Sequence, residues 1–348
     1  MNIAWLPRYD TQGASSRYRF FMYFQHWSQL KTQDNIAIYP GLSNKYLQEL
    51  YQHGKVGKLR QARELARLFK RTWALPENLI IEYELIPALP WKYEKILLKN
   101  HRYILNFDDN VWVKYKNNPA LIDKYDQLCR NAAGIIAANH FLLEKVQKLN
   151  KNCCMIPTVV DLDKYSVQKE KFEKFTLVWI GTPVTYCYLE QHLPILQQLT
   201  ADGSCELLII ADSNLQYTRK LPGVQARYVN WSSECENELL SCSHVGIMPL
   251  TDDDFSQGKS AFKLLQYQAS GLPLIASPVG ENNQVVKPGK NGFLPENAAG
   301  WLAACQALQN DQTLYENCSK YARSCAYDYS IQKYFSIYRE FVLNTFGQ

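Results

Sequence analysis

The chain has 348 residues, 47% hydrophobic and 20% charged, which fits a soluble globular protein with room for two complete cores. Its net charge of +5 is compatible with anionic ligands or an anionic membrane surface. No helix-turn-helix, zinc-finger or RNA-binding signature accompanies that charge, so nucleic acid is not a predicted partner. The ten cysteines are scattered without a Cys-x-x-Cys motif, which argues against zinc and for reduced thiols in the cytoplasm. No apolar run approaches the roughly 20 residues of a membrane-spanning helix.

The first predicted elements are a buried strand at residues 2–6, a glycine-containing loop at 7–17 and an aromatic-rich helix through Leu30. Since the chain opens directly on that strand, we expect no signal peptide. Arg17 and Arg19 stand where the helix begins. They are predicted either to contact an anionic group or to be ordinary surface arginines.

A second short strand is predicted at 36–39, and a strongly basic stretch follows it. Cations alternate there with leucines and a phenylalanine, and only Glu64 opposes them: Lys55, Lys58, Arg60, Arg63, Arg67, Lys70 and Arg71. The pattern predicts a basic amphipathic helix or helix pair. Two interpretations stay open, a docking element for an anionic lipid surface and a helix packed on the sheet with a solvated charged face.

An acidic pair follows the next clear strand. Strands are predicted at 79–81 and 103–107, with a helix at 91–100 between them. The second strand ends in Asp108 and Asp109, and loops at the carboxyl ends of parallel strands are where catalytic groups usually lie. Either aspartate is suited to position an acceptor hydroxyl or to take its proton. The alternative is a helix-capping loop pair.

Further alternation of strands and helices predicts a parallel α/β architecture. Strands at 134–139 and 154–157 enclose a helix at 140–149, and the polar segment 166–174 is the best candidate for a linker. Beyond it, helices alternate with three more predicted strands, at 177–180, 206–211 and 226–229.

The most informative stretch runs from Gly258 to Gly280. We predict a helix opened by Gly258 and Ser260 and ended by Gly271, then a buried strand at 272–276 and a loop.

Lys259 and Lys263 are four residues apart in this stretch, so we expect them to share one face of the first helical turn. Free N–H groups and the helix dipole favour an anion at that end of a helix. The arrangement suits a diphosphate, and the alternative is a solvated basic face.

Together these blocks resemble the retaining glycosyltransferases of the GT-B fold, in the large family 4 also called glycosyl transferases group 1. The resemblance covers most of residues 176–300 and rests on segments in a fixed order: 179–183, 231–240, 244–250, 258–280 and 291–294. The N-terminal half matches more loosely, through 13–19 and 106–112. The resemblance implies an α/β protein with two Rossmann-like domains facing a cleft: an acceptor-binding domain at 1–168, a nucleotide-sugar-binding domain at 169–326 and a helix at 327–348 that crosses back to the first domain.

The resemblance also implies roles for particular residues. Donor binding is expected at Gly181, Thr182, Trp231, Lys259, Lys263, Gln266, Gly280, Asn282 and Asn283. The acceptor is expected near Gly13, Ser15, Ser16 and Arg17, and the catalytic groups are expected to be Asp108, Asp109 and Lys263. Trp231 is alternatively a core residue, and the two asparagines alternatively form turns. No metal or cofactor is expected besides the nucleotide-sugar co-substrate, and the run Asp252–Asp254 is interpreted as solvated loop charge.

The chain departs from the family pattern at four positions. Retaining relatives often carry two glutamates eight positions apart, the second placed to bond the ribose, and here those positions hold Gly258 and Gln266. Cys187 replaces a common lysine, and Gln284 replaces a frequent glutamate. The charge of a bound diphosphate is therefore expected to rest on the two lysines and on backbone dipoles.

We predict a glycosyltransferase that moves a sugar, with retention, from a nucleoside-diphosphate-sugar to a saccharide or lipid-linked acceptor in bacterial surface polysaccharide or glycan synthesis. It is expected in the cytoplasm or on the inner face of the cell membrane. The alternative is a catalytically weak GT-B scaffold subunit that binds a partner or an acceptor. An α/β oxidoreductase is disfavoured because the Gly-x-Gly-x-x-Gly turn is missing. The sugar, the nucleotide, the acceptor and the oligomeric state stay open.

Overall fold

The computed structural model describes residues 1–166, 169–211 and 215–347, and the chain forms two compact units. The first unit comprises Met1–Val159, the three residues Gly258–Ser260 and the chain from Lys333 onward. The second unit comprises Val160–Gln257 and Ala261–Gln332. The boundary predicted at residue 168 lies outside the described residues.

A parallel sheet forms the centre of the first unit. Its described strands are β1 (Asn2–Leu6), β2 (Asn35–Ile38), β3 (Asn78–Glu82), β4 (Arg102–Phe107), β5 (Gly134–Ala137) and β6 (Cys153–Met155). They lie in the order β2-β1-β3-β4-β5-β6, and every neighbouring pair is parallel. The central strands are continuous apolar runs because helices cover both faces of the sheet.

Helices on the two faces of this sheet divide the alternating side chains of β1 between them. On one face Trp5 packs against Trp27 and Tyr338, and Tyr338 stacks on Tyr23 with ring centroids 4.2 Å apart. On the other face Ala4 belongs to a cluster that includes Leu68. The helical segments of this part of the chain are Ala14–Ser16, Arg17–Phe21 (a π-helical turn), Met22–Ser28, Asn44–His53, Lys58–Thr72, Trp91–Leu97, Val111–Lys114 (a 3-10 turn), Lys124–Asn131, His140–Gln147 and Ile331–Gly347.

The second unit repeats the architecture. Its described strands are β7 (Phe175–Ile180), β8 (Cys205–Ala211), β9 (Ala226–Asn230), β10 (Val245–Met248), β11 (Leu274–Ala276) and β12 (Gly292–Phe293). They lie in the order β12-β11-β10-β7-β8-β9, again all parallel. The predicted fold class, α/β with two Rossmann-like sheets, is confirmed.

The helices of the second unit alternate with these strands, as a parallel sheet requires. They are Leu162–Tyr165 (a 3-10 turn), Cys187–Gln191, Leu193–Thr200, Leu215–Thr218, Glu236–Cys242, Asp254–Gln257, Phe262–Ala269, Asn282–Val285, Ala298–Asn310, Gln312–Cys325 and Ala326–Tyr329 (a 3-10 turn). Within the described ranges, no helix combines the length and the apolar character needed to cross a membrane.

Two local predictions were wrong. The helix expected to open at Gly258 begins at Phe262, because Ala261 adopts a left-handed conformation with φ +52° that interrupts helical geometry. Lys259 therefore precedes the helix and does not share its first turn with Lys263. The interpretation of Arg19 as a surface arginine also fails, since its side chain is only 1% exposed.

Candidate functional site

The carboxyl end of β7 carries a glycine that a larger residue could not replace. A Cβ at Gly181 would lie 2.4 Å from the ring of Trp179 and 2.9 Å from the hydroxyl of Thr185. The Trp179 ring thus fills the space below the loop, and the Gly181 backbone passes directly over it. Thr182 continues this loop, and its N–H donates to the Thr185 hydroxyl at 3.3 Å. An aromatic ring thus supports the Gly181 backbone and leaves no room for a side chain at this position.

The helix Phe262–Ala269 places a lysine on the same ring. Tyr267 is fully buried, and its hydroxyl accepts a hydrogen bond from the N–H of Ile180 at 3.1 Å. Lys263 lies one turn earlier on the same helical face. Its Nζ is 5.3 Å from the centroid of the Trp179 ring, a cation–π distance. Tyr267 therefore ties the helix to the end of β7 and brings Lys263 beside Gly181.

A buried hydrogen-bond network surrounds Gln266. Its Nε2 donates to Glu236 Oε1 at 2.6 Å, and the indole N–H of Trp231 donates to Glu236 Oε2 at 2.6 Å. The hydroxyl of Tyr165 donates to Glu236 Oε1 at 3.2 Å. Glu236 thus fixes both Trp231 and Gln266.

The loop after β11 turns at a second glycine. Gly280 has φ +52°, and a Cβ there would lie 2.7 Å from the carbonyl oxygen of Gln257. Asn282 is 1% exposed and donates its amide to the Ser277 carbonyl at 3.0 Å, so its side chain shapes the loop. Asn283 is exposed to solvent.

The segment Gly258–Ser260 packs within the first unit. The carbonyl of Gly258 accepts a hydrogen bond from the Asn139 amide at 2.8 Å, and the hydroxyl of Ser260 donates to the Asp108 carbonyl. Lys259 lies between them and is only 8% exposed. The two lysines predicted to act together thus belong to different units.

Buried carboxyl groups meet at the carboxyl ends of β3 and β4 in the first unit. Glu82 Oε2 accepts hydrogen bonds from the Ser16 hydroxyl at 2.6 Å and from the Arg8 N–H at 2.7 Å, and Ser15 also donates to Glu82. The Tyr83 hydroxyl donates to Asp108 Oδ1. These contacts bring the predicted Ser15, Ser16 and Asp108 to one place through two residues that the sequence did not single out.

Burial governs the protonation of this cluster. It raises the pKa of Asp108 to about 8, with further increases from the negative charges of Asp109 and Glu82. Burial also raises the pKa of Glu82, against the opposing hydrogen bonds from Ser16 and Arg8. Near neutral pH, Asp108 therefore holds a proton that it loses under mildly alkaline conditions. Asp109, the next residue in the same loop, is half-buried.

The remaining predicted acceptor residues have structural contacts. Gly13 is buried, and a Cβ there would lie 2.5 Å from the Cβ of Tyr9. Arg17 is half-buried, with its guanidinium 5.0 Å from the centroid of the Tyr18 ring. Arg19 is held more firmly, since its Nε donates to Asn106 Oδ1 at 2.9 Å and its Nη1 donates to the Ile156 carbonyl at 2.6 Å.

Four residues of these sites escaped the sequence reasoning: Trp179, Glu236, Glu82 and Tyr83. Trp179 lies within the strand predicted at 177–180, and the pattern gives no sign that its ring supports the loop after that strand. Tyr83 has φ +65°, a strained conformation for a residue with a side chain, and such strain often marks functional sites. A glutamate ending an apolar strand, as in Asn78–Glu82, is the signal that could have revealed Glu82.

Among the described residues, no group of three or more His, Cys, Asp or Glu side chains is arranged to hold a metal ion. The acidic run Asp252–Asp254 is exposed, and Asp253 caps the short helix after it by accepting from the N–H groups of Phe255 and Ser256.

Comparison with known proteins agrees with this description. Residues 174–311 match the family described as "Glycosyl transferases group 1". HepE of Anabaena, crystallised with UDP and glucose, superposes with a TM-score of 0.71 at 12% identity and covers 98% of each chain. Sucrose-phosphate synthase of Thermosynechococcus elongatus gives a TM-score of 0.69 at 14% identity, over 100% of this chain and 99% of that chain.

A third solved structure, the pneumococcal O-GlcNAc transferase GtfA in complex with UDP and GlcNAc, gives a TM-score of 0.61 at 14% identity. It aligns over 81% of this chain and 60% of its own. No curated protein matches the chain significantly.

The fold is thus that of the GT-B glycosyltransferases, and the resemblance drawn from the sequence is confirmed. Most of the second unit carries the signature of glycosyl transferases group 1.

Proposed function

We propose that this protein transfers a sugar from a nucleoside-diphosphate-sugar to a hydroxyl of a saccharide or lipid-linked acceptor, with retention at the anomeric carbon. We place the reaction in bacterial surface polysaccharide or glycan synthesis. The observation that carries the proposal is Lys263, held over Trp179 beside the Gly181 loop at the carboxyl end of β7. Ligands of parallel α/β sheets bind at that end.

The donor diphosphate would lie against three positive features of the second unit. These are the ammonium of Lys263, the backbone of Gly181 and Thr182, and the free N–H groups where the helix Phe262–Ala269 begins. Each would stabilise the negative charge that grows on the diphosphate as its bond to the sugar breaks. Lys263 is therefore the residue we assign to leaving-group stabilisation.

Asp108 is the residue we assign to the acceptor. When the acceptor oxygen forms its bond to the anomeric carbon, its proton needs a base. Asp108, with a pKa of about 8, can take that proton only once it has lost its own, so we expect transfer to increase as the pH rises toward 8. Ser15, Arg17 and Asp109 would contact acceptor hydroxyls around the same loop, whereas the buried Ser16 would hold Glu82 in place. The bond to the diphosphate breaks with its electron pair, so the charge balance needs no cofactor.

We further propose that the reaction needs no metal ion, because cationic side chains and backbone dipoles supply the positive charge that a metal would otherwise provide. Sugar transfer that persists with a chelator present supports this part of the proposal. Transfer that is lost with chelator and restored by Mn²⁺ contradicts it.

A specific observation favours the alternative of a catalytically weak scaffold subunit. Both positions of the family's glutamate pair lack a carboxylate, and Gly258 has no space for one, since a Cβ there would lie 2.3 Å from the Cβ of Asn110. Gln266 in turn is bound to Glu236. A scaffold would bind a partner or an acceptor without turning over the donor.

A donor panel distinguishes the two functions. Purified protein is mixed separately with UDP-, GDP-, ADP- and CMP-sugars, and thermal unfolding and nucleotide release are recorded together. An enzyme is expected to be stabilised by one donor class, because ligand binding raises apparent stability, and to release the matching nucleotide. Stabilisation without release, even with saccharide acceptors added, favours the scaffold. No stabilisation by any donor contradicts the proposal.

A further inference from the structure

The helix Lys58–Thr72, called the basic helix below, leaves an apolar stripe open to solvent. Leu59 is 67% exposed and Phe69 43%, and Trp73, directly after the helix, is 79% exposed. At about 100° per residue, these three side chains fall within an arc of about 80°. Contiguous apolar surface of this kind usually marks a site of interaction.

An apolar groove with a volume of about 340 Å³ opens beside the stripe. Its lining comes from two segments, the basic helix and the loop after β3: Leu65, Ala66, Phe69, Ile86, Pro87, Ala88 and Leu89. Two hydrogen bonds fix the loop, since the buried Lys124 Nζ donates to the Ile86 carbonyl at 2.8 Å and the Ala88 N–H donates to the Tyr115 hydroxyl at 2.9 Å. The groove is therefore preformed.

Cations border the stripe on its other side. Viewed down the helix axis, Arg63 and Lys70 lie within about 40° of the edge of the stripe. Across the described part of the chain, neither makes an ion pair. The other arginines of the basic helix are used within the protein. Arg60 pairs with Glu49, Arg67 with Glu64, and Arg71 donates to the Pro40 carbonyl.

We propose that this surface docks the first unit on an anionic lipid bilayer, with a lipid chain entering the groove. The stripe would lie in the interface, the groove would take an acyl or isoprenyl chain, and Arg63 and Lys70 would face the anionic headgroups. The docking proposal rests on this surface alone. The further step, that the bound lipid chain belongs to a lipid-linked acceptor, rests also on the proposed function.

Charge selects a lipid surface over a second copy of this chain. In a two-fold dimer built on the basic helix, the same patch would meet itself. Arg63 and Lys70 would then face the equivalent cations of the other copy across an apolar contact, where like charges repel strongly. An anionic bilayer supplies the opposite charge and the apolar chains together.

Co-sedimentation with vesicles tests the proposal directly. We expect wild-type protein to bind vesicles of equal parts phosphatidylglycerol and phosphatidylcholine at low salt, and to bind phosphatidylcholine alone at least about tenfold more weakly. Added salt should weaken binding, because mobile ions screen the headgroup attraction. Protein that ignores the anionic vesicles at low salt overturns the proposal.

Two pairs of variants separate charge from the groove. Arg63→Glu with Lys70→Glu should weaken vesicle binding at least about tenfold, whereas Lys148→Glu with Lys151→Glu, exposed lysines of the same unit with the same charge change, should have little effect. Ala66→Asp places a carboxylate in the groove and should abolish binding, whereas Gln61→Asp makes the same charge change elsewhere on the same helix and should not.

Nucleotide binding and sedimentation of the free protein complete the test. All four variants should keep the wild-type thermal unfolding and donor binding, so a failure of docking is distinguishable from a failure of the proposed function. Equal effects of each variant and its control contradict the proposal. So does a dimer that Ala66→Asp converts to a monomer, because it shows that a second copy covers the stripe.

Discussion

The carboxyl edges of the two sheets are built from opposite kinds of residue. In the first unit, buried ionisable groups crowd the ends of β3 and β4, among them Glu82, Glu84 and Asp108. In the second unit the corresponding edge is shaped by an aromatic ring, Trp179, under Gly181, with Lys263 as the cation over the ring. The first edge should respond mainly to charge and pH, and the second mainly to shape.

The deepest part of the charged edge centres on Glu84, whose side chain is fully buried. Lys124 Nζ lies 2.6 Å from both Glu84 Oε2 and Glu94 Oε2, and Arg8 Nη1 lies 2.8 Å from Glu84 Oε1. Burial alone would raise the pKa of Glu84, but the charges of Lys124 and Arg8 lower it below its ordinary value. This carboxylate thus stays ionised only because its cationic partners are present.

The largest expected effect follows from removing the buried partner. Lys124→Met should lower the free energy of unfolding by about 3–5 kcal/mol, because it removes the buried cation that two buried carboxyl groups share. Lys114→Met is the matched control, since Lys114 also contacts Glu84, at 3.4 Å, but its side chain is 43% exposed. That control should cost less than about 1 kcal/mol. Equal losses in urea unfolding would show that burial does not set the strength of this cluster.

The next effect is a pH dependence confined to the first edge. Asp108 has a folded-state pKa of about 8, above its ordinary value, so its protonated form favours folding. The stability contributed by this proton is fully present below about pH 4 and is lost as the pH rises toward about 8. Asp108→Asn keeps the acceptor of the Tyr83 hydrogen bond without a charge.

Urea unfolding at several pH values measures this difference. Near pH 4 the Asp108→Asn variant should have about the stability of the wild type, and its advantage should grow with pH to several kcal/mol near pH 8, since each unit of pKa difference is worth about 1.4 kcal/mol. Stability curves that run parallel across this window would mean that Asp108 loses its proton as readily in the folded protein as in the unfolded chain.

A smaller effect tests the hydrogen-bond network around Gln266 in the second unit. Gln266→Glu restores the family's carboxylate but sets it beside Glu236, which now accepts from Gln266 at 2.6 Å. We expect the free energy of unfolding to fall by about 1–3 kcal/mol, because two buried carboxylates at that distance cannot both ionise. Adding Glu236→Gln should recover most of this stability. The amide N–H introduced at position 236 would donate to the carboxylate introduced at position 266, and the carbonyl of the same amide would accept from Trp231. Thermal unfolding of the three variants measures the coupling, and additive losses would refute it.

The sequence was sufficient for features that depend on local pattern. The alternation of apolar strands and helices predicted both parallel sheets, and Gly271, with φ +70°, ends its helix as expected. Gly181, which directly follows a predicted strand, was named as a donor-binding residue through the family resemblance. The position of the Trp179 ring, which leaves no room for a side chain at residue 181, was not predicted, because ring placement depends on side-chain packing.

Features that depend on pairs distant in sequence escaped prediction. Glu236 meets Gln266 across 30 positions, and Ser16 meets Glu82 across 66. No period or motif in one sequence announces such contacts. The late start of the helix predicted to open at Gly258 has a local cause, the left-handed Ala261, but alanine gives no sign of that conformation, which tertiary packing imposes.

Calorimetric titration of UDP asks whether the Lys263–Trp179–Gly181 arrangement binds the nucleoside diphosphate. Lys263→Ala should weaken UDP binding by about 1.5–3 kcal/mol, or roughly 10- to 150-fold, the usual effect of losing a hydrogen bond to a charged group. Lys290→Ala, which removes another lysine of the same unit that lies over the Tyr321 ring, should leave the affinity unchanged. An unchanged dissociation constant in a folded Lys263→Ala variant would contradict the claim and remove Lys263 from the site.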